Sequence, residues 1–426
     1  MRILRPGLCA LIAFCVLAHG VVEVWSASVL EIGAGILLVI WIVDLYRDPD
    51  RKVFWSPLNP PLLGLIAIAC LQLLFRTTAY FFLTRIELLK LISEFLILFL
   101  AAQAFRARKD LEQLVWFLVF LSFGVSLLGI VQHFTSENEI YWFRHLTEGG
   151  DPFGPYVNRN HFAGFVELTA PAGLALLIFR GVRRDLYAIV GILSVVPVGA
   201  LILSGSRGGI VSFGLAIGVL SLLARSRRHG QDRPQMAAMG IVALVAVALI
   251  VWLGADQAIH RFTSLASKDV TLARRGSMAL GAMRIFIHHP IMGSGLGTTV
   301  SVFPRFESAY DGLLVDHVHN DYAELLAEMG ILGGICGFAF LWILFRDAKA
   351  SFEAEQGHFS RALHAGAVAS VCALVLHSLV DFNLHIPSNA ILFLVQAYLA
   401  TSAPLPSEGH VQRRRRRTAQ EELDPA

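Results

Sequence analysis

Charge is scarce in this sequence: Asp, Glu, Lys and Arg make up 16% of 426 residues, where soluble domains carry roughly a quarter. That shortage excludes a soluble chain of this length, which would need polar surface around one or two cores. Cysteine is scarce too. Cys9, Cys15, Cys70, Cys336 and Cys372 all lie inside apolar runs, with no CxxC or Cys/His spacing, so neither a zinc site nor a disulfide framework is indicated. A net charge of +3 leaves no general basic field, which excludes a nucleic-acid binder.

Long apolar runs are what the sequence has in abundance. It is 55% hydrophobic, with a mean hydropathy of +0.62. Crossing a hydrocarbon core of roughly 30 Å takes about 20 apolar residues in a helix. Runs of that kind cover 7–25, 28–46, 58–75, 86–105, 113–132, 161–179, 186–204, 208–225, 236–254, 322–345, 362–380 and 386–402. They predict an all-α, polytopic integral membrane protein with about 12 transmembrane helices. The first run, behind Arg2 and Arg5, reads as a retained helix rather than a cleaved signal peptide.

Lys and Arg gather on the cytoplasmic side of short loops. With the N-terminus inside, most of the 35 Lys and Arg fall on inner segments, and Arg413 to Arg417 forms a cytoplasmic anchor near anionic headgroups. The chain then divides into N-terminal transmembrane helices (1–132), central transmembrane helices with a first outer loop (133–254), a large outer loop (255–321), C-terminal transmembrane helices (322–402) and a basic tail (403–426). Within the large loop, Leu272 to His289 is apolar at helical spacing and reads as an interfacial helix.

Four polar clusters come out on the same, outer side. The first, Pro152 to Gly164, holds Asn158, Arg159, Asn160 and His161. An asparagine there serves as a helix cap, whereas Arg159 and His161 need more than a cap to explain them. Glu167, six residues into the span, is an intramembrane carboxylate that needs a partner or a polar cavity. The second cluster, Ser204 to Gly209, is a small-residue hinge carrying Arg207, suited to an anionic oxygen. The third combines Arg274, Arg275 and Arg284 with a glycine run at Pro290 to Gly297 and then Asp316-His-Val-His-Asn-Asp-Tyr322. No strand precedes the glycine run and no Lys follows it, so it is not a nucleotide loop. Metal ligation by His317 and His319 is the weaker reading, since alternate residues cannot share a helix face and no further ligand set is evident. The stronger one makes one of these histidines a general base or a substrate-orienting group, with Asn320 and Tyr322 as hydrogen-bond partners. Asp321, Glu324 and Glu328 form one helical stripe able to orient the histidines or pair with the arginines. The fourth cluster, His377 to Asn389, brings Asp381, Asn383 and His385 to the same boundary. Glu87, Lys90 and Glu94 in the fourth span neutralise one another and read as structural.

Several outer arginines, a histidine pair and no nucleotide motif describe a site for a large anionic substrate met outside the cytoplasm. Ser206-Arg-Gly-Gly209, Arg275 followed by the glycine run, and His317-Val-His-Asn-Asp-Tyr322 continuing to Gly330-Ile-Leu-Gly333 resemble the O-antigen ligase and polymerase family of bacterial inner-membrane proteins. Asn158 to Gly164 and Asp381 to Pro387 resemble further motifs of that family. The resemblance implies a GT-C-like, metal-independent, inverting glycosyltransferase with no cofactor, acting in the inner membrane with its active site facing the periplasm. Its donor would be an undecaprenyl diphosphate-linked glycan. Its acceptor would be lipid A core, a glycan chain or a protein, and membrane lipids would surround it. Under that resemblance His319, with His317 in reserve, activates the acceptor hydroxyl. Arg207 and Arg275 hold the diphosphate, with Arg274 and Arg284 as further phosphate residues. The adjacency of Arg274 and Arg275 leaves open which of the two binds phosphate. Arg159, His161, Asn320, Asp381 and His385 make secondary substrate contacts. A transporter of lipid-linked sugars would instead place broken helices at mid-membrane in two related halves, and no such repeat is evident.

Overall fold

The structure, a computed structural model, describes residues 1–48, 50–136, 139–146, 150–225, 272–307, 314–355 and 357–403. Among the described residues each apolar run folds as a helix, since a helix satisfies its own backbone where no water can. They are α1 (Leu4–Leu17), α2 (Val24–Arg47), α3 (Asn59–Leu74), α4 (Phe81–Ala104), α5 (Arg108–Thr135), α6 (Arg159–Ile178), α7 (Tyr187–Ser204), α8 (Arg207–Arg225), α9 (Leu272–His288), α10 (Asp321–Ala354), α11 (His358–His377) and α12 (Pro387–Thr401). The run at 236–254 and the tail arginines Arg413 to Arg417 lie outside the described residues. Among the described residues no strand forms, only isolated bridges such as Ile140 with Arg144.

Seven of these helical segments are long and apolar enough to cross a membrane: 24–47, 108–135, 159–178, 184–204, 207–225, 321–354 and 358–377. Of the other runs expected to cross, 236–254 lies outside the described residues, and the rest differ in length or charge. α1 and α3 are shorter apolar helices, and α12 has 15 residues. α4 carries Arg85, Glu87, Lys90 and Glu94.

α6 is the axis of the molecule. Every side chain from His161 to Ile178 is buried, and α11, α7, α8, α5 and α12 pack around it. The outer helices show the reverse pattern. Ile32, Ile36 and Val39 on α2, Ile189 and Ile192 on α7, and Ile335, Phe338 and Trp342 on α10 point apolar side chains outward. Such a surface suits hydrocarbon and not water, so the chain is an all-α polytopic membrane protein.

On the polar side, α9 occupies the stretch expected to be helical, and the glycine run after it has a structural task. α10 is broken at Gly330, which has φ +63°. The run fills that break: Ile331 and Leu332 donate to the carbonyls of Pro290 and Ile291, while Ser294 and Gly295 donate to those of Ala327 and Glu328. Gln72 of α3 clasps the wedge from the other side. Its amide donates to the carbonyls of Met292 and Glu328 and accepts from the Leu296 N–H at 3.0 Å. A Cβ at Gly293, where φ is +74°, would lie 2.1 Å from the carbonyl carbon of Glu328, so only glycine fits there.

Gly293→Ala is therefore expected to destabilise the fold by about 2 kcal/mol or more, read as a lowered Tm of the detergent-purified protein. Gly35→Ala, with nothing within 4 Å of the added carbon, serves as the control that leaves Tm unchanged. Equal Tm values for the two variants would contradict the wedge.

Candidate functional site

The site is built where the N-terminal ends of α6, α8 and α10 and the C-terminal end of α11 meet the connection between α11 and α12. Its centre is Asp381, fully buried just beyond the end of α11. One carboxylate oxygen lies 3.3 Å from His319 Nδ1 and accepts the Phe382 N–H at 2.9 Å. The other accepts from Asn160 Nδ2 at 2.7 Å and faces Arg275 at 3.5 Å. His161 Nε2 stands 3.8 Å away. Burial alone would raise the Asp381 pKa. The His319 hydrogen bond, the His161 and His319 charges and the Arg275 guanidinium instead hold it well below the usual carboxylate range.

Local sequence explains how each partner arrives. Asn158 caps α6 by accepting from the Asn160 N–H at 2.8 Å, which leaves the Asn160 side chain for tertiary contacts. It spends them on Asp381 and on Ser206, whose hydroxyl donates to Asn160 Oδ1 at 2.8 Å. Ser206 in turn caps α8 through the Gly209 N–H at 3.2 Å, after α7 has ended on left-handed Gly205. Arg207 thus stands exposed at the first position of α8, at the positive end of a helix dipole. Asn320 caps α10 through the Ala323 N–H at 2.9 Å and ties the loop to the Leu379 carbonyl. His319 precedes it in a left-handed conformation, φ +52°, a strained backbone of the kind held in place at functional sites.

A second buried carboxylate lies beside the first. Glu324 Oε1 is 2.7 Å from His317 Nδ1, and Glu324 Oε2 accepts the Val318 N–H at 3.0 Å. His385 bonds to Asp321 at 2.8 Å through Nδ1, with Nε2 3.6 Å from Glu324. Phe382 separates the two carboxylates: His317 stacks on its face at 4.6 Å, while His161 and His319 approach edge-on at 4.7 and 4.8 Å. Burial would lower both pKa values. The Glu324 charge and hydrogen bond raise that of His317. Glu324 and then Asp321 push that of His385 up to about 10. His317, Glu324 and His385 bring ligand atoms within 4.8 Å of one another, the one grouping among the described residues that could hold a metal ion. Those atoms already engage one another or Asp321 directly, which is the arrangement of a hydrogen-bonded cluster.

The remaining residues expected at the site are placed as follows. Arg275 donates to the Val380 carbonyl as well as facing Asp381. Arg274, its half-buried neighbour, leaves α9 in another direction, as consecutive helix positions must. Arg284 is not brought to the cluster and donates to the Phe306 carbonyl at 3.3 Å. Arg159 is buried in an ion pair with Asp151. Glu167 meets His377 at 2.8 Å, both fully buried between α6 and α11. Sequence reasoning missed the bridging role of Asn160 and the ring of Phe382. It placed Asp381 among secondary contacts when it is the hub.

A family model described as O-antigen ligase matches residues 189–338. No curated protein matches the chain. The matched stretch holds Arg207, Arg275, His317, His319 and Glu324, whereas Asn160 and Asp381 lie on either side of it.

The His385 pairings have a pH signature. In the fold this imidazole keeps its proton up to about pH 10, against 6.5 for an unperturbed one. Its stabilising contribution is whole below about pH 6.5 and is lost as pH rises toward 10. The Tm advantage of the natural protein over His385→Gln should shrink across that window. An advantage independent of pH would contradict the pairing.

Proposed function

We propose, from the match of residues 189–338 to the O-antigen ligase family model, that this chain moves a glycan from undecaprenyl diphosphate to an acceptor hydroxyl on the periplasmic face of the inner membrane. The family gives the coarser statement: a membrane glycosyltransferase of the ligase and polymerase type. The finer reading is supported above all by one observation. A single buried carboxylate, Asp381, joins the histidine suited to be a base to an arginine suited to hold phosphate.

The chemistry follows from that arrangement. With Nδ1 engaged by Asp381, His319 offers Nε2 to the acceptor hydroxyl, the orientation a general base needs. The acceptor proton passes to Nε2 as the acceptor oxygen forms its bond to the anomeric carbon. The bond from that carbon to the diphosphate breaks, and its electron pair leaves on the phosphate oxygen. Attack opposite the leaving group inverts the anomeric centre. Negative charge develops on the departing diphosphate, where Arg207 at the head of α8 and Arg275 on α9 supply fixed positive charge. No metal or cofactor enters this reading. Asn160 keeps the two halves in register, since it bonds both to the α8 cap residue Ser206 and to Asp381.

Among acceptors, lipid A core is the first choice, with ligase activity in lipopolysaccharide biosynthesis. A growing glycan, as for a polymerase, or a protein hydroxyl remains the alternative within the same family. Radiolabelled glycan transfer from the lipid carrier in proteoliposomes, offering each acceptor in turn, distinguishes them.

In that assay Arg207→Ala and His319→Ala are each expected to lower transfer about 100- to 1000-fold, with both proteins still present in the membrane fraction. Near-natural rates from both variants would overturn the assignment. Asn160→Ala should cost less, about tenfold, and act on kcat more than on KM. An unchanged kcat would show that its bridge has no part in the reaction.

A further inference from the structure

His317 and His319 are two residues apart, yet their surroundings differ in a way that assigns them different tasks. Asp381, the partner of His319, has its charge shared with the Arg275 guanidinium and the Asn160 amide. Glu324, the partner of His317, is equally buried, but its neighbours are the imidazoles of His317 and His385 and the backbone N–H of Val318. His385 is claimed in turn by Asp321 at 2.8 Å. Glu328, one turn further along α10, is buried as well and adds negative charge toward His385, and Asp316 does the same toward His317 from its own loop. Among the described residues, two carboxylates, Glu324 and Asp321, therefore face two imidazoles, and no arginine or lysine pairs with them. A buried carboxylate without a counter-charge costs several kcal/mol, so the cluster balances only when both imidazoles carry their second proton. A base in that state has no lone pair to offer.

The geometry agrees with a donor. Nδ1 of His317 is spent on Glu324, which makes Nε2 the nitrogen that meets a ligand. The ring is held flat against Phe382 on one side and beside His385 on the other, at centroid distances of 4.6 and 4.8 Å. Its side chain keeps 29% of its exposure, whereas Glu324 keeps none. Across Phe382, His319 and the Asp381–Arg275 pair stand one ring away.

We propose that His317 is a hydrogen-bond donor to the diphosphate of the lipid carrier and not an alternate base, and that Glu324 and His385 are positioning residues for it. This rests on the reading of the chain as a polyprenyl diphosphate-dependent transferase. The task of His319 is distinct: it takes the acceptor proton, while His317 contacts the leaving group.

The full chain in lipid nanodiscs is titrated with undecaprenyl diphosphate and, separately, with undecaprenyl monophosphate. The natural protein should bind the diphosphate more tightly. His317→Ala is expected to weaken diphosphate binding about tenfold or more and monophosphate binding little, so that the monophosphate reports an intact fold. His317→Arg, a donor unable to act as a base, should stay within about threefold of the natural affinity. Glu324→Gln, which removes the charge opposite His317 at nearly constant volume, should weaken diphosphate binding in the same direction as His317→Ala. His319→Ala should bind both lipids as the natural protein does while losing transfer. Natural diphosphate affinity in His317→Ala overturns the inference alone. So does loss in His317→Arg as large as in His317→Ala with monophosphate binding retained. If the natural protein does not prefer the diphosphate, the transferase reading falls and this inference falls with it.

Discussion

Everything at the polar end of this molecule is arranged around the burial of one carboxylate. Asp381 is fully inside the protein, where an unpaired charge would cost several kcal/mol. It is tolerated because four separate elements each send a donor or cation toward it: Asn160 and His161 from the start of α6, Arg275 from α9, His319 from the loop before α10, and the Phe382 amide from its own segment. Because the cost of leaving it unpaired is high, the carboxylate fixes where those elements end relative to one another. The same residue that closes the fold thus sets the distance between His319 and Arg275.

Helices and site were legible in the sequence to different depths. Hydrocarbon permits few backbone structures, so the apolar runs foretold helices closely, and the boundaries of α2, α5, α6 and α8 fall within a few residues of the runs. The small helical deviations have local causes. α1 ends at Leu17, short of the apolar run, because His19, Gly20 and Val21 all take positive φ and turn the chain. The four polar clusters were visible because charged and amide residues are so rare in this composition. Their wiring was not visible. Asn160 looks like a second cap beside Asn158, and only the fold shows that one caps while the other bridges to Ser206 and Asp381. Phe382 is one aromatic among 29 phenylalanines, and nothing local marks it as the ring on which three histidines pack.

Helix spacing alone separates two of the arginines. Arg284 lies nine positions after Arg275 on one helix, which at about 3.6 residues per turn puts the two on opposite faces. They cannot both reach one diphosphate, and the structure indeed turns Arg284 toward Phe306. Arg159 shows the converse: its position in a polar motif does not reveal that Asp151, eight residues earlier, pairs with it.

The break in α10 accounts for how a loop can hold two histidines so firmly. Glu324 and Glu328 are one turn apart on the first turns of that helix, just ahead of Gly330. Glu328 accepts from the Gly297 and Thr299 N–H groups and the Thr299 hydroxyl, which fastens the glycine wedge. Glu324 accepts from Val318 and meets His317, which fastens the histidine loop. The glycine wedge and the histidine loop are therefore stitched to the same two helical turns. The wedge entering at Gly330 then stops α10 from sliding along its own axis, because its backbone is bonded to the wedge on both sides of the break. A helix that would otherwise be free to shift in lipid becomes a fixed rail. His319 is held by that rail on one side and by Asp381 on the other, so its position owes little to the loop's own stiffness.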